Sequence, residues 1–393
     1  MLNEERDIVM RMMNEHRPSQ VIVDLDAVKH NIQMMINKMD GNQELYAVVK
    51  ADGYGHGAYE IAQTALESGA RGLCVATVDE AIHLREKGIE SPILVLGLTD
   101  PRGIAEILHY NIIVTVSQLE FFEVAYQQLQ EADELYLLES HQLTFHLALD
   151  TGMGRIGLRD EASITEFVDG VEGIEWIQWQ GVFTHFSTIG GGPQSYVDHQ
   201  WQQWQAWMPL IPEYVKIRHF ANSAMGLWGN MMSQTSLVRY GISMYGIDPK
   251  DQYPAQDALE PALSFISEIV HVKQVPAGES ISYGARYTTE TEEWIATIPV
   301  GYADGWLRHY AKIPILVDGQ ACPVLGVINM DQLMIRLPKY YPEGTTVTLI
   351  GQDGASENHV SQMAHEINTI GYEILTSIGK RVPRIYLKED IND

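Results

Sequence analysis

The chain has 393 residues, of which 45% are hydrophobic and 20% charged, with two cysteines and a formal net charge of −26. This charge would repel nucleic-acid phosphates and anionic lipids, so we predict neither a nucleic-acid nor a membrane partner. Cys74 and Cys322 lie far apart, without the spacing of metal ligands or of a disulfide framework, and we predict a metal-free protein of the reducing cytoplasm.

Three segments follow one another along the chain. Residues 1–16 are an N-terminal extension whose mixture of charged and apolar side chains predicts a short surface helix and not a secretory signal. Residues 17–257 form the second segment, and from about residue 45 to 245 it repeats a short apolar run, a turn and an amphipathic stretch, which is the pattern of βα units. The predicted strands are residues 45–49, 72–77, 93–96, 112–116, 145–149, 181–184, 218–221 and 236–238. The predicted helices include residues 78–87, with Asp79 as the N-cap, and residues 117–128.

Each of these units contains one continuous apolar run, as strands buried on both faces do, and we therefore predict an N-terminal (β/α)8 TIM-type barrel. Residues 258–393 instead contain short β-branched runs separated by Gly, Pro and Asp, at residues 270–275, 294–300, 313–317 and 345–350. They predict a C-terminal, mostly antiparallel β domain with one helix near residues 360–369.

The segment VKADGYGHG at residues 49–57 carries the strongest chemical signal, because an apolar strand ends in Lys50 and passes into a glycine-rich turn. The carboxyl end of a barrel strand opens into the active-site mouth. Burial there lowers the pKa of an amine and makes it nucleophilic enough to form a Schiff base with an aldehyde cofactor. A lysine at a strand exit is more often a surface residue, but the Gly, Tyr and His residues that follow argue against this alternative.

Further polar residues and glycines occupy the same place behind their own predicted strands: Arg155, His185, Asn222, Ser223, Arg239 and Gly241. Since the carboxyl ends of barrel strands meet at one mouth, we expect these residues to converge there. Ser223, Gly241 and Tyr54 would donate hydrogen bonds to a phosphate group. Arg155 and Arg239 would face a carboxylate or a ring nitrogen.

Two tyrosines of the second half lie beside glycines where apolar strands are interrupted, Tyr283 in SYG at residues 282–284 and Tyr302 in GYADG at residues 301–305. Such tyrosines often pack at domain interfaces. A tyrosine near cationic groups can instead act as a phenolate base. The residues themselves leave both roles open.

Together these motifs resemble those of the alanine racemases over essentially all of residues 17–387. The motifs occur in one order: VKADGYGHG 49–57, DTGMGR 150–155, THF 184–186, ANS 221–223, VRYG 238–241, SYG 282–284, GYADG 301–305, NMD 329–331 and RVPR 381–384. The resemblance implies a barrel that binds pyridoxal 5'-phosphate (PLP), a C-terminal β domain, and a head-to-tail homodimer whose sites draw residues from both subunits. The implied activity is interconversion of L- and D-alanine by two bases, which supplies D-alanine to a bacterial cell wall.

The resemblance also implies a role for each site residue. Lys50 would hold PLP and act as the base on the D-amino acid, and Tyr283 of the partner subunit would act as the base on the L-amino acid. Arg239 would donate to the pyridine nitrogen, while His185 would orient Arg239 or polarise Tyr283. The remaining contacts would come from Tyr54, Ser223, Gly241 and Ile242 to the phosphate, His219 near the ring, Arg155 and Met330 to the substrate carboxylate, and Tyr302 and Arg308 along the access channel.

Three departures from the family pattern bear on the substrate. Ala148 stands where many members have a modified lysine that positions the arginine, so Arg155 would need another anion. Lys380 replaces a tyrosine that touches the phosphate. Val327 replaces an arginine of the access channel, and Asn329 replaces a common cysteine. These changes leave a serine racemase or a broad-specificity racemase as the alternative.

Two other classes of protein share the barrel. Decarboxylases of basic amino acids place a glutamate at the pyridine nitrogen and use a Cys-Asp pair, which neither Cys74-Val75 nor Cys322-Pro323 provides. Non-catalytic PLP carriers consist of the barrel alone and have no residue that matches Tyr283. We therefore expect a racemase.

Overall fold

The computed structural model describes residues 6–10, 16–253 and 258–389. Its backbone forms two compact units. The barrel unit comprises Ile32–Gly53 and Ile61–Met244, and the sheet unit comprises Met1–Asn31, Tyr54–Glu60 and Tyr245–Asp393. Each unit thus combines segments that are separate in sequence.

The first part of the chain contains the barrel strands and three elements that precede them. These three are β1 (Arg6–Met10) and β2 (Gln20–Asp24), which belong to the sheet unit, and α1 (Leu25–Lys38). The next strands are β3 (Glu44–Val48), β4 (Gly72–Val75), β5 (Ile93–Leu98), β6 (Ile113–Val116), β7 (Leu143–Ala148), β8 (Ile177–Phe183), β9 (Ile217–His219) and β10 (Leu237–Tyr240). The helices among them are α2 (Lys50–Tyr54), α3 (Ala58–Glu67), α4 (Val78–Glu86), α5 (Ile104–His109), α6 (Glu120–Glu131), α7 (Leu137–Ser140), α8 (Glu161–Val171), α9 (Gln194–Trp207) and α10 (Ser223–Trp228).

Within the described residues, β3 to β10 form one parallel sheet in the order β10-β3-β4-β5-β6-β7-β8-β9. A parallel bridge between Ala221 and Val238 brings the two end strands together, so the barrel is nearly closed. The strands β4, β6 and β10 are buried along their whole length, as expected when side chains fill the interior and helices cover the outside. Each of the eight predicted strands overlaps one of these strands, and the predicted barrel is confirmed.

The last part of the chain supplies most of the sheet unit. Its strands are β11 (Leu263–Glu268), β12 (His271–Val275), β13 (Ser280–Ile281), β14 (Tyr287–Thr288), β15 (Glu293–Ile298), β16 (Ile315–Val317), β17 (Gln320–Cys322), β18 (Leu333–Leu337), β19 (Thr346–Asp353), β20 (Ser356–Asn358) and β21 (Arg384–Glu389). Its helices after residue 258 are α11 (Val360–Ile367) and α12 (Gly371–Ser377). The predicted helix near residues 360–369 is α11.

The main sheet of this unit runs β1-β21-β2-β11-β19-β16-β17. Among the described pairs of this sheet, β2 and β21 are parallel and the others are antiparallel. Along β11 buried and half-buried residues alternate, with Leu263 and Phe265 buried, which is the pattern of a sheet with one face toward a core. The prediction of a mostly antiparallel C-terminal domain is confirmed.

The N-terminal extension differs from its prediction. Arg6–Met10 form β1, which pairs antiparallel with β21, so the predicted surface helix is wrong for these residues. Backbone partners on a distant strand override a weak local pattern. Residues 1–5, 11–15, 254–257 and 390–393 lie outside the described part of the chain. The division into residues 1–16, 17–257 and 258–393 stays a prediction, and β2 belongs to the sheet unit.

Candidate active site

Lys50 follows β3 by two residues and lies half-buried at the carboxyl end of this strand. Burial lowers the pKa of its amine, and the positive charge of Arg155 lowers it further. The carboxylate of Glu80 acts in the opposite direction and raises this pKa. An amine of lowered pKa reaches its neutral, nucleophilic form at a lower pH than a surface lysine does.

The backbone of α2 makes a left-handed turn. Ala51, Asp52 and Gly53 have φ angles of 52°, 53° and 60°, and Tyr54 has a φ angle of 51°. Glycine adopts this region readily, whereas other residues lose roughly 1–2 kcal/mol each. A 2.8 Å hydrogen bond from the Gly53 N–H to the Val49 carbonyl closes the turn. Strain of this kind persists only where the surrounding structure offsets it.

Glu80, in the first turn of α4, makes contacts that stabilise this turn. Its Oε1 accepts the N–H of Ala51 at 2.7 Å. Its Oε2 accepts the N–H groups of Ala76 and Thr77 at 2.7 and 3.3 Å. The Glu80 N–H donates to Thr77 Oγ1 at 3.3 Å, which completes a capping box. One carboxylate therefore joins the turn after Lys50 to the start of the next barrel helix.

Arg239, in β10, is 3% exposed and makes several polar contacts inside the barrel unit. Its Nη1 donates to Nδ1 of His219 at 2.6 Å. Its Nη2 donates to the Thr184 carbonyl at 2.9 Å, and its guanidinium carbon lies 5.3 Å from the centre of the Phe183 ring. Burial lowers the pKa of Arg239 to about 10, so the side chain remains a cation at neutral pH.

A line of hydrogen bonds continues from Arg239 through two imidazoles. A guanidinium can only donate, so Nδ1 of His219 must accept and its Nε2 carries the proton. This Nε2 lies 2.8 Å from Nδ1 of His146, and Nε2 of His146 lies 3.0 Å from Oε1 of Gln180. Burial lowers the pKa of His146 to about 4 and holds the pKa of His219 well below its usual value. Both imidazoles are therefore neutral at pH 7, each in one tautomer.

His185 lies just beyond β8 and is half-buried. Its Nδ1 is 3.5 Å from Nη2 of Arg239, and its Nε2 is 3.5 Å from Nδ2 of Asn222. Burial, followed by the charge of Arg239, holds the pKa of His185 well below its usual value. The structure thus brings the two predicted residues together, with His185 as a neutral imidazole.

Ser223 and Gly241 meet at the carboxyl ends of β9 and β10. The Gly241 N–H donates to Ser223 Oγ at 2.9 Å, which leaves the hydroxyl proton of Ser223 for another acceptor. Ile242 begins a short 3-10 helix, Ile242–Tyr245, and is buried. Hydroxyl and backbone donors of this kind suit an oxyanion such as phosphate.

Arg155 follows β7 through a loop that Asp150 orders. The buried Asp150 carboxylate accepts the N–H groups of Gly152 and Gly154 at 3.1 and 2.8 Å. The Arg155 side chain is exposed, whereas Ala148 in β7 is buried. The loop thus presents a guanidinium beyond the strand end, and its charge acts on Lys50.

The predicted residues of the second half lie on the surface of the sheet unit. Tyr283 is 75% exposed, Met330 53% and Tyr302 39%. The backbone before Tyr283 is held by Ser282, whose hydroxyl donates to the Val327 carbonyl at 3.0 Å and accepts the Val327 N–H at 3.2 Å. These three side chains are therefore accessible at the surface.

The predicted site residues divide between the two units. The barrel unit contains Lys50, Arg155, His185, His219, Ser223, Arg239, Gly241 and Ile242. The sheet unit contains Tyr54, Tyr283, Tyr302, Arg308, Met330 and Lys380. Tyr54 is buried there against Tyr245 and Tyr372, with ring centroids 4.9 and 5.9 Å away. Sequence reasoning missed Glu80, His146 and Gln180.

Two further features concern the described residues only. Among them, no group of three or more His, Cys, Asp or Glu side chains is arranged to hold a metal ion. No helix in the described ranges has both the length and the apolar character needed to cross a lipid bilayer.

Known proteins resemble this chain over nearly its whole length. Residues 23–249 match the family model of the alanine racemase N-terminal domain, and residues 262–386 match that of the C-terminal domain. The alanine racemase of Ligilactobacillus salivarius is 45% identical over 377 residues, which cover 95% of this chain and 100% of that protein. The crystal structure of alanine racemase from E. faecalis has a TM-score of 0.90 at 42% identity and covers 96% of this chain and 100% of its own. The histidine racemase from Leuconostoc mesenteroides has a TM-score of 0.86 at 31% identity, with coverage of 95% and 99%. The chain therefore belongs to the alanine racemase family.

Proposed function

We propose that this chain is a PLP-dependent isomerase that interconverts L- and D-alanine. The observation that carries the proposal is Lys50, an amine of lowered pKa at the carboxyl end of a barrel strand in a chain of this family. Such an amine forms a Schiff base with an aldehyde. We place the enzyme in the cytoplasm, making D-alanine for a cell wall, and the free, buried thiols of Cys74 and Cys322 fit a reducing compartment.

The donors of the barrel unit fit PLP. The Ser223 hydroxyl and the backbone N–H of Ile242 would hold the phosphate, and Tyr54 would add a contact. Gly241 would line the same place, where its N–H donates to Ser223 Oγ at 2.9 Å and would orient the hydroxyl or turn to the phosphate. Arg239 would donate to the pyridine nitrogen and leave it unprotonated, because a guanidinium has no acceptor. When bound, PLP supplies an electron sink that stabilises negative charge at Cα of the amino acid.

Racemisation needs a proton-carrying group on each face of Cα, because one group does not readily reach both faces of a planar carbon. Lys50 Nζ would remove or return the proton on one face. Tyr283 of the partner subunit would do so on the other face through its Oη. The 75% exposure of Tyr283 supports this assignment, since a side chain so open is available to a second chain. We therefore propose a homodimer with shared active sites.

The other site residues would bind and orient. Arg155 and the backbone N–H of Met330 of the partner subunit would hold the substrate carboxylate, because charge-assisted hydrogen bonds to a carboxylate are strong. Tyr302 would line the access channel. His185, a neutral imidazole beside Arg239, would keep that guanidinium in place or polarise the tyrosine. His219 would lie near the PLP ring and hold Arg239, whose Nη1 donates to its Nδ1 at 2.6 Å.

A broader substrate range is the second candidate. The relevant observation is that a histidine racemase has nearly the same fold as this chain. In this chain Lys380 is exposed and Val327 is half-buried in the sheet unit, and both positions differ from the usual family residues. Val327 would widen the access channel because it is smaller than the usual arginine. Lys380 would replace the tyrosine that narrows the pocket near the phosphate, so that serine or larger substrates could enter.

Chiral chromatography of L-Ala, L-Ser, L-His, L-Lys and L-Arg, each incubated with enzyme and added PLP, tests these proposals. We expect alanine to racemise fastest, with specific activity falling as the protein is diluted through the dimer dissociation range. Equal or faster turnover of another amino acid would support the second candidate. Absence of turnover with all five would overturn the proposed function.

A further inference from the structure

We propose that Glu80 is a positioning residue for Lys50, which it orients through the N–H of Ala51. The proposal rests on the proposed role of Lys50 as the amine that carries PLP. Glu80 lies outside the residues assigned to cofactor and substrate contacts. Its carboxylate nevertheless reaches the peptide that directly follows the lysine, with Oε1 at 2.7 Å from the Ala51 nitrogen.

The hydrogen bond from Ala51 to Glu80 acts on Lys50 because Lys50 and Ala51 share one peptide plane. The N–H of Ala51 and the carbonyl of Lys50 belong to the same planar group. On the other side, the peptide that precedes Lys50 is held through the Val49 carbonyl, which accepts the Gly53 N–H at 2.8 Å. With both neighbouring peptides held, the φ and ψ angles of Lys50 and the direction of its Cα–Cβ bond are restrained.

The left-handed turn explains why an anchor is needed at this place. Ala51 and Asp52 have positive φ angles although they carry side chains, so the local chain by itself favours another conformation. A carboxylate is a suitable anchor because hydrogen bonds to an ionised acceptor are roughly twice as strong as neutral ones. One carboxylate oxygen of Glu80 accepts the N–H of Ala51, and the other accepts the N–H groups of Ala76 and Thr77.

An ordinary capping role does not account for the contact with Ala51. In a capping box the glutamate side chain returns to the N-cap backbone, which here is Thr77. The hydrogen bond to Ala51 reaches a residue 29 positions earlier in the chain.

The charge of Glu80 predicts a second effect, on the pKa of Lys50, which can be measured separately. Around Lys50, Arg155 lowers the amine pKa, whereas Glu80 and Cys74 raise it, so removing the Glu80 charge lowers the pKa further.

The test compares Glu80→Gln with Thr77→Ala in the full-length protein. Both variants weaken the cap of α4, but only the first loses the charge and the two-oxygen bridge. Lys50 reactivity is measured in PLP-free protein by trace acetylation with acetic anhydride at a series of pH values, followed by mass spectrometry. In PLP-loaded protein, kcat and KM for L-alanine are measured. For Glu80→Gln we expect Lys50 to titrate at lower pH and kcat to fall about tenfold to hundredfold with little change in KM.

Thr77→Ala is expected to lose thermal stability while keeping the Lys50 titration and kcat of the unmodified protein. Equal behaviour of the two variants in titration and kcat would overturn the proposal and leave Glu80 as a helix cap. If Glu80→Gln fails to fold, Glu80→Asp decides, because it keeps the charge but is one methylene too short for the bridge. It should lower kcat without shifting the titration, and a normal kcat would overturn the proposal. Lack of racemase activity in the unmodified protein would count against the proposed function instead, since the acetylation needs no turnover.

Discussion

At the scale of single residues, one cation determines the protonation of several neighbours. Arg239 donates to His219, so His219 donates to His146 and His146 donates to Gln180. Neutral imidazoles hold the guanidinium without cancelling its charge, as a carboxylate in their place would. The barrel interior thus keeps a buried cation whose position is set by groups of fixed tautomer.

Lys50→Ala should abolish both the visible absorbance of bound PLP and alanine turnover, because it removes the amine at the carboxyl end of β3. Absorbance spectroscopy of the PLP-incubated, desalted protein measures the first effect, and chiral chromatography measures the second. Lys87→Ala, at the exposed end of α4, is the matched control and should change neither. Full activity of Lys50→Ala would contradict the assignment.

Tyr283→Phe should bind PLP normally but lose conversion of L-alanine far more than cofactor binding, because it lacks the hydroxyl that carries a proton on that face. Exchange of the Cα hydrogen with D2O, started from each enantiomer and followed by NMR, separates the two faces. Tyr340→Phe alters a tyrosine of similar exposure, 56%, and should have no effect. Near-normal racemisation by Tyr283→Phe would exclude the two-base mechanism.

Sequence reasoning identified residues whose chemistry is unusual for the end of a strand, such as Lys50 and Arg239. It missed residues inside regular elements whose partners are distant in sequence. His146 meets Gln180 across 34 positions and His219 across 73, and nothing local marks those pairings. Glu80 did leave a local signal, because Thr77 and Glu80 have the spacing of a capping box.

At the scale of secondary structure, the barrel strands were predictable because burial on both faces makes continuous apolar runs. The helix starts were less accurate. The predicted cap at Asp79 is wrong, since Thr77 has the extended backbone of an N-cap and accepts the N–H of Glu80. The helix predicted from residue 117 begins at Glu120. The left-handed turn of α2 was not predicted, because Ala51 and Asp52 carry no signature of it.

Gly181→Ala should disturb the hydrogen bond between His146 and His219, because Gly181 packs directly against the His146 ring. A Cβ on Gly181 would lie 2.8 Å from Cε1 of His146, so the imidazole must shift, which disturbs its hydrogen bonds to His219 and Gln180. We expect a loss of about 1–3 kcal/mol in unfolding free energy and a lower kcat, measured by urea unfolding and steady-state kinetics. Gly191→Ala is the control, because a Cβ there meets no atom within 4 Å. Identical stability and kcat in the two variants would contradict the packing argument.

At the scale of the whole molecule, the order of a barrel followed by a mostly antiparallel β domain was predictable from the change in sequence pattern. The pairing of the first strands was not. Arg6 lies opposite Glu389, and Val21 lies opposite Arg384. Contacts between residues so far apart in sequence leave no periodicity in either segment.

The buried imidazoles should make global stability depend on pH. The pKa of His146 is about 4 in the folded protein and 6.5 as its ordinary value, so between these values the unfolded chain binds more protons. Its contribution to stability is therefore complete above pH 6.5 and is lost as the pH falls toward 4. Urea midpoints measured from pH 7 to 4 should fall, and less steeply in His146→Leu. Parallel profiles for the two proteins would contradict this attribution, and His141→Leu, at an exposed site, should follow the unmodified protein.

The strand order of the sheet unit also has a consequence for biosynthesis. β2 lies between β11 and β21, whose residues are translated long after it, whereas most of the barrel unit is the continuous segment Ile61–Met244. A nascent chain therefore contains all the barrel strands while the backbone groups of β2 still lack their neighbours. A polypeptide that stops before Arg384 leaves β2 with one open side, an edge of the kind that promotes aggregation.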